Sequence, residues 1–338
     1  METIKNSTGV LCFSLMGENE LRADVLSSIL SPLRLHGAYH SDWRLHHSWA
    51  VQGLPEPRAL IHYMLIGSAT IAFNRGERHR LFAGDLAIFP RGGAHIVSGE
   101  PTATAPYISD LLPERVPGSA AVLTLGDPAS PQIGRMLCAG LDYDLSAEYL
   151  LYRMLPDVLI VRRNRISTQP LLAHLLDGIL TETDSPGNGT EAVQLRSFEL
   201  AYLLGLRLAL HDDIDTHVGR ALRHPRLGRA LIAINTHYDR PWTVRSLADL
   251  TGLPQSTFAR EFTTTIGRTP ASYLRDRRLL EARRLLHSSS DSLEKIALAV
   301  GYGSTIGLHQ AFIREFNTTP GAYRVTQRRF QTTVGVSD

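Results

Sequence analysis

The chain repeats itself in its last third. Leu247-Ala248, Gly252, Phe262, Ile266-Gly267, Thr269-Pro270 and Tyr273 recur as Ile296-Ala297, Gly301, Phe312, Phe316-Asn317, Thr319-Pro320 and Tyr323. The offset is 49 residues for the Leu-Ala/Ile-Ala and Gly pairs and 50 from Phe262 through Tyr273, so the second copy carries one extra residue after its glycine. Self-similarity at this period means a duplicated supersecondary unit.

Each copy reads as two helices joined by a sharp turn. In the first, Thr243 is placed to cap a short helix burying Leu247, Ala248 and Leu250, and Gly252 supplies a turn that calls for positive φ. A second helix from Pro254-Gln255 then buries Phe258, Phe262 and Ile266 at i, i+4, i+8. In the second, Ser292 caps, Ile296, Ala297 and Val300 are buried, and Gly301 turns the chain. Leu308, Phe312 and Phe316 follow at the same helical spacing. Thr269-Pro270 and Thr319-Pro320 each read as an N-cap with proline at the first helical position.

A helical repeat can be an adaptor as well as a nucleic-acid binder. Two features favour DNA. From His224 to Asp338 there are 16 Lys+Arg against 9 Asp+Glu, and the remainder carries 19 against 24; a basic module beside an acidic one points to a polyanion. The helix from Pro270 to about His287 would span roughly 27 Å. Helices fixed at its two ends could enter successive turns of the major groove, ~34 Å apart. The outward faces are expected to hold Gln255, Ser256, Arg260 and Thr263 in the first unit, and Thr305, His309, Gln310 and Arg314 in the second. Arg matches guanine, Gln matches adenine, and Ser or Thr suits a base or a phosphate. Arg275, Arg277, Arg283 and Arg284 on the linking helix read as phosphate contacts or solvated surface.

Over about 100 residues, from His224-Pro-Arg-Leu-Gly-Arg229 to Tyr323-Arg324, the chain resembles the AraC/XylS family of transcription regulators. Trp242-Thr-Val-Arg-Ser-Leu-Ala248, Ser256-Thr-Phe-Ala-Arg-Glu-Phe262 and Ala297-Leu-Ala-Val-Gly-Tyr302-Gly-Ser304 carry the resemblance. It departs at Pro254, where a Ser cap is usual, at Gln310, where Arg is usual, and at Asn317, which replaces a Gly. Asn tolerates the left-handed conformation, whereas Gln310 removes a phosphate or guanine contact and weakens or redirects the second unit.

Upstream, residues to about Asn164 read as strand-rich. Ile61–Ile66, Ala69–Asn74 and Leu86–Phe89 are β-prone runs, with turns at Arg75-Gly76 and Gly84-Asp85. Val10–Met16 reads as a core strand or loop rather than a signal peptide. Helical spacing starts at Pro170, a breaker-rich loop follows at 184–189, another helix runs from about Glu191 to His211, and 212–219 reads as a linker. Leu81-Phe-Ala-Gly84-Asp85-Leu-Ala-Ile-Phe-Pro90-Arg-Gly-Gly-Ala-His95, with Ile61-His62-Tyr-Met-Leu-Ile-Gly67 and Leu26–Trp43 before it, resembles a cupin, a small β-barrel with an interior pocket. A catalytic cupin would gather a His-x-His pair, a carboxylate and a later His around a metal. Here Met64 takes the second place of the pair, leaving His62 and His95. Three readings of that pair stay open: structural histidines, hydrogen-bonding groups for an organic effector, or two metal ligands completed by His40, His46, His47 or water. No resident cofactor is assigned.

The expected fold is α+β in two domains: a cupin-like barrel over 1–165, connecting and dimerisation helices with a linker over 166–223, and an all-α tandem helix-turn-helix module over 224–328. The expected function is an effector- or stress-controlled transcription activator, not an enzyme. Its partners would be promoter double-stranded DNA, RNA polymerase, a small molecule in the barrel and a second copy, with helix 191–211 packing either between the domains or against that second subunit. A cupin-type metal enzyme with a helical appendage is the alternative. Cys12 and Cys138 suit neither a disulfide scaffold nor a zinc finger, and no apolar run reaches the ~18–20 residues of a membrane span, so a cytoplasmic protein is expected. Cys138, alone in a strand-like run, reads as core rather than as an oxidant sensor.

Overall fold

The computed structural model describes residues 26–27, 35–100, 105–112, 121–143, 155–211, 217–224 and 226–326. Val10–Met16, read above as a core strand or loop, and Cys12 lie outside these. The chain forms two compact units, one drawn from Leu33–Ala147 with Leu151–Gly219, the other containing Arg220–Asp338.

Among the described residues, ten strands build the first unit: β1 (Leu35–Leu45), β2 (Ala50–Gly53), β3 (Arg58–Ile66), β4 (Ser68–Ala72), β5 (Arg78–Phe82), β6 (Leu86–Phe89), β7 (His95–Ser98), β8 (Ala121–Leu125), β9 (Gly134–Tyr143) and β10 (Leu159–Val161). They form a six-stranded sheet ordered β10-β6-β3-β9-β1-β8 and a four-stranded sheet ordered β2-β7-β4-β5. Trp43, Met64, Phe89 and Met136 of the first sheet share one core with Val51, Ile71, Leu81 and Val97 of the second. The turns expected at Gly76 and Gly84 have φ of +85° and +90°. Asp85 is tied by the backbone N–H groups of Phe82 and Arg163, which donate to its carboxylate, and by an ion pair with Arg162 at 2.7 Å.

Three helices follow: α1 (Arg163–Ile166), α2 (Pro170–Asp184) and α3 (Thr190–His211). Proline at the start of α2 has no helical N–H to lose. Most apolar residues of α3 are covered within the unit, where α3 packs on α2 and on strands β1, β6 and β10, while Val193 and Leu200 are exposed. Phe198 and Tyr202 are fully enclosed, and the backbone N–H of Gly37 donates to the Glu199 carboxylate at 2.7 Å. Central strand β9 is buried along most of its length because the barrel interior covers one face and helix packing reaches the other. A fourth helix, α4 (His217–Arg223), takes up part of the stretch expected as a linker.

The second unit is helical throughout its described residues: α5 (Leu227–Thr236), α6 (Val244–Thr251), α7 (Gln255–Ile266), α8 (Pro270–Ser288), α9 (Leu293–Ala299), α10 (Thr305–Phe316) and a last turn at 320–326. The caps read at Thr243, Thr269, Ser292 and Thr319 are formed, and Ser304 adds one that was not read. Thr243 and Ser246 form a reciprocal capping box, Thr269 accepts from the Ser272 N–H, Ser292 from Lys295 and Ser304 from Gly307. Pro254 offers α7 no side-chain cap. Gly252, Gly267 and Asn317 close their helices at φ of +65°, +74° and +57°. The duplication is visible in the packing: Phe262 meets Tyr273, and Phe312 meets Tyr323, each edge-on with centroids 5.7 Å apart.

Candidate DNA-reading helices and barrel cavity

Helical period decides which side chains α7 and α10 present. Phe258, Phe262 and Ile266 are buried; residues two positions away lie about 200° around the helix. Ser256, Arg260 and Thr264 occupy those positions, and all three are exposed. In α10, Leu308 and Phe312 are buried and Phe316 packs on the same core, which exposes Ile306, Gln310 and Arg314. Gln255 is exposed beside Ser256, whereas Thr305 and His309 are half-buried at the edge of the stripe. Thr263, like Thr305 and His309, is half-buried at the edge of the stripe, and its hydroxyl donates to the Ala259 carbonyl at 2.7 Å. Thr264, which was not singled out in the sequence, is the more exposed of the two. Ile306 was also missed, although the same two-residue offset from the apolar series identifies both.

The linking helix α8 holds these two stripes apart. At 1.5 Å per residue its 19 residues span about 28 Å. Of its four arginines read as phosphate contacts or solvated surface, Arg277 and Arg283 are buried instead. Arg277 is buried, pairs with Glu281 at 3.2 Å and lies 4.1 Å from the centre of the Tyr238 ring. Arg283 is buried with its guanidinium 5.1 Å from the Phe316 ring centre. Arg284 and Arg275, both half-exposed, pair with Glu281 and Asp276. Aromatic rings from distant parts of the fold have drawn two of these cations inward, a placement that spacing along α8 alone does not encode.

In the first unit, the barrel encloses a cavity of about 370 Å³, at the small end of ligand pockets. Trp43, Val51, Leu60 and Val97 supply apolar wall, and His62 and His95 meet in it from strands of different sheets. Their Nε2 atoms are 3.3 Å apart. His95 Nδ1 lies 2.7 Å from the Gly93 carbonyl and donates to it; its Nε2 is then the acceptor for the Nε2–H of His62. At the cavity's polar edge the Tyr39 hydroxyl donates to Glu56, which also pairs with Arg58 at 3.2 Å. His40 lines the cavity and stacks near Phe198. His46 instead bonds the Ser130 carbonyl and His47 is exposed, so neither joins the pair. No group of three or more His, Cys, Asp or Glu poised to ligate a metal occurs among the described residues, and Met64 is packed into the core. The donor set therefore does not fit a resident cupin metal. Cys138 also lines the cavity, where burial, then the charge of Asp42, pushes its thiol well above the ordinary range and keeps it a poor nucleophile.

Burial, then the neighbouring imidazole, lowers His62 to about 3; burial lowers His95 to about 4, with the Gly93 bond opposing. Both rings are neutral near pH 7. Folded values below the unfolded value of about 6.5 give stability that is full above that pH and is lost on acidification toward the folded values. Unfolding of the barrel in denaturant, followed by fluorescence, is expected to need progressively less denaturant between about pH 6.5 and 4. The double variant His62→Leu/His95→Leu should flatten the profile over that window; an unchanged slope would remove the pair as its cause.

Residues 24–211 match the cupin family model, and residues 247–326 match that of a helix-turn-helix domain. Similar proteins include the HTH-type transcriptional regulator AlkR of Acinetobacter baylyi, 29% identical over 304 residues, covering 89% of this chain and 99% of that protein. The HTH-type transcriptional regulator MtrA of Neisseria gonorrhoeae is 24% identical, covering 89% and 98%. The RCS-specific HTH-type transcriptional activator RclR of Escherichia coli K12 is 25% identical, covering 86% and 90%.

Proposed function

Because the chain belongs to the AraC family of transcription regulators and carries a cupin domain over residues 24–211, we propose that it is a promoter-binding activator whose affinity for DNA is set by a small molecule held in the barrel. That it is a DNA-binding regulator and not an enzyme follows from the family. The alternative of a cupin-type oxygenase or isomerase is thereby set aside. Among the described residues no helix is long and apolar enough to cross a membrane, which suits a protein acting on cytoplasmic DNA.

The observation that carries the DNA reading is the pair of exposed stripes on α7 and α10, held by one helix of nearly a groove repeat. Gln255, Ser256 and Arg260 are the base-reading candidates in the first unit. Thr305, His309, Gln310 and Arg314 are those in the second, with Arg314 also suited to phosphate. The effector reading is supported by an apolar cavity with a few convergent polar groups, His62 and His95 among them. Control is then linkage: an effector that binds better to the DNA-competent state raises DNA affinity by the same factor by which DNA raises effector affinity. Activation implies contact with RNA polymerase, and one relative bears the name of an activator. Pairing of two copies would double the number of recognition helices on a promoter.

A gel shift on the DNA upstream of the protein's own gene tests the reading. Affinity should fall steeply with salt, as counterion release demands, while a sequence preference persists. Arg260→Ala should cost about 1–3 kcal/mol on the preferred duplex and relax base choice at one position. Absence of binding at low salt would overturn the function, and an unaltered motif would overturn the role of Arg260.

A further inference from the structure

An apolar side chain stands in the open on a helix read as polar. Ile306 is 70% exposed, in the first turn of α10, which begins at Thr305. It shares one helix face with Gln310 and Arg314 at i+4 and i+8. At the offset of 50 residues its counterpart on α7 is Ser256, so the two reading stripes differ in kind at this position. A β-branched side chain on a helix is nearly confined to one χ1 rotamer, which holds the Ile306 methyl groups in a fixed place. In the major groove of B-DNA, the apolar group on base edges is the C5 methyl of thymine. We propose that Ile306 reads a thymine methyl, giving the second unit a preference for T at one position.

The inference rests on α10 entering the major groove, as proposed above. Gln310, one turn on, carries the donor and acceptor that match adenine. The second unit then selects an A/T-weighted half-site, whereas Arg260 at the equivalent place in the first unit suits guanine. Replacing the family's usual Arg by Gln310 has changed what is read rather than only weakened the reader. Leu298 on α9 is also 65% exposed, and an apolar contact to a protein partner is the competing use of this end of the module.

The full chain is used to select duplexes from a random pool. Each thymine in the half-site of the second unit is then replaced singly by deoxyuridine, which removes only the methyl. At one position wild type and Ile306→Val should lose about fourfold in affinity, the worth of one buried methyl-sized group at ~0.8 kcal/mol. Ile306→Ser should be indifferent to the same replacement while melting like wild type, since the side chain is exposed. If no thymine in that half is sensitive, or if Ile306→Ser is equally sensitive, the proposal is overturned and the protein-contact reading gains. If no sequence is selected at all, the DNA-binding reading fails and takes this inference with it.

Discussion

Gly301→Ala is expected to destabilise the helix-turn-helix module by about 3–5 kcal/mol, whereas Gly252→Ala should cost only about 1–2 kcal/mol. The two glycines are equivalent in the repeat and both hold positive φ, +65° at Gly252 and +81° at Gly301. Left-handed backbone alone accounts for the smaller figure. Their surroundings differ. A Cβ on Gly252 would meet nothing within 4 Å. On Gly301 it would run into the Asp239 carbonyl oxygen and come within 2.9 Å of an Arg278 nitrogen. A carbonyl cannot swing aside as a side chain can. Arg278 donates to the Tyr238 and Arg240 carbonyls at 2.7 Å each, so the loop and its clamp must move together. The turn of the second unit thus seats on the loop preceding the first, and overpacking there adds to the backbone strain. Denaturant unfolding of the two variants checks this; equal losses would contradict the close approach.

Much of the DNA-binding module was legible because its determinants are local. Apolar residues at i, i+4, i+8, hydroxyls before helices and glycines after them place α6, α7, α9 and α10 almost unaided. Asn317 was read as a mild replacement for glycine, and it takes the left-handed cap. Failures came where placement depends on distant contacts or on a single step of helix rotation. Thr263 and Thr264 are neighbours 100° apart on α7, and only the position of the buried stripe decides which one faces out. In the barrel, His62 and His95 were paired only through the cupin resemblance, because β3 and β7 lie in different sheets and their meeting is set by closure. Helices α2 and α3 looked like connectors in sequence; α3 packs on the six-stranded sheet and α2 packs on α3, and both fall in the barrel's own unit.

The basic balance of the module misleads most on α8, and Glu281→Ala exposes why. This substitution is expected to cost about 3–5 kcal/mol, because it removes the carboxylate that faces the buried Arg277 guanidinium. Glu281 is itself buried, 3.2 Å from Arg277 and 2.7 Å from Arg284. Burial pushes its carboxyl up, but the Arg284 hydrogen bond and the two positive charges outweigh that and hold it below the ordinary value. A carboxylate whose folded pKa is depressed gives stability that is full above the unfolded value, about 4.3, and is lost as pH falls through the lower folded one. The gap between wild type and Glu281→Ala should therefore narrow below about pH 4. Replacing the pair together, Arg277→Met with Glu281→Leu, should be nearly neutral or stabilising, since two desolvated charges are removed at once. If the double variant is as unstable as the single one, the account of a stranded cation is wrong. On DNA the same variants separate structure from recognition. A cation committed to Glu281 and the Tyr238 ring releases no counterion from phosphate, so the folded double variant should keep the wild-type salt slope. A slope reduced by about one would instead return Arg277 to the phosphate contacts that its place on a basic helix suggested.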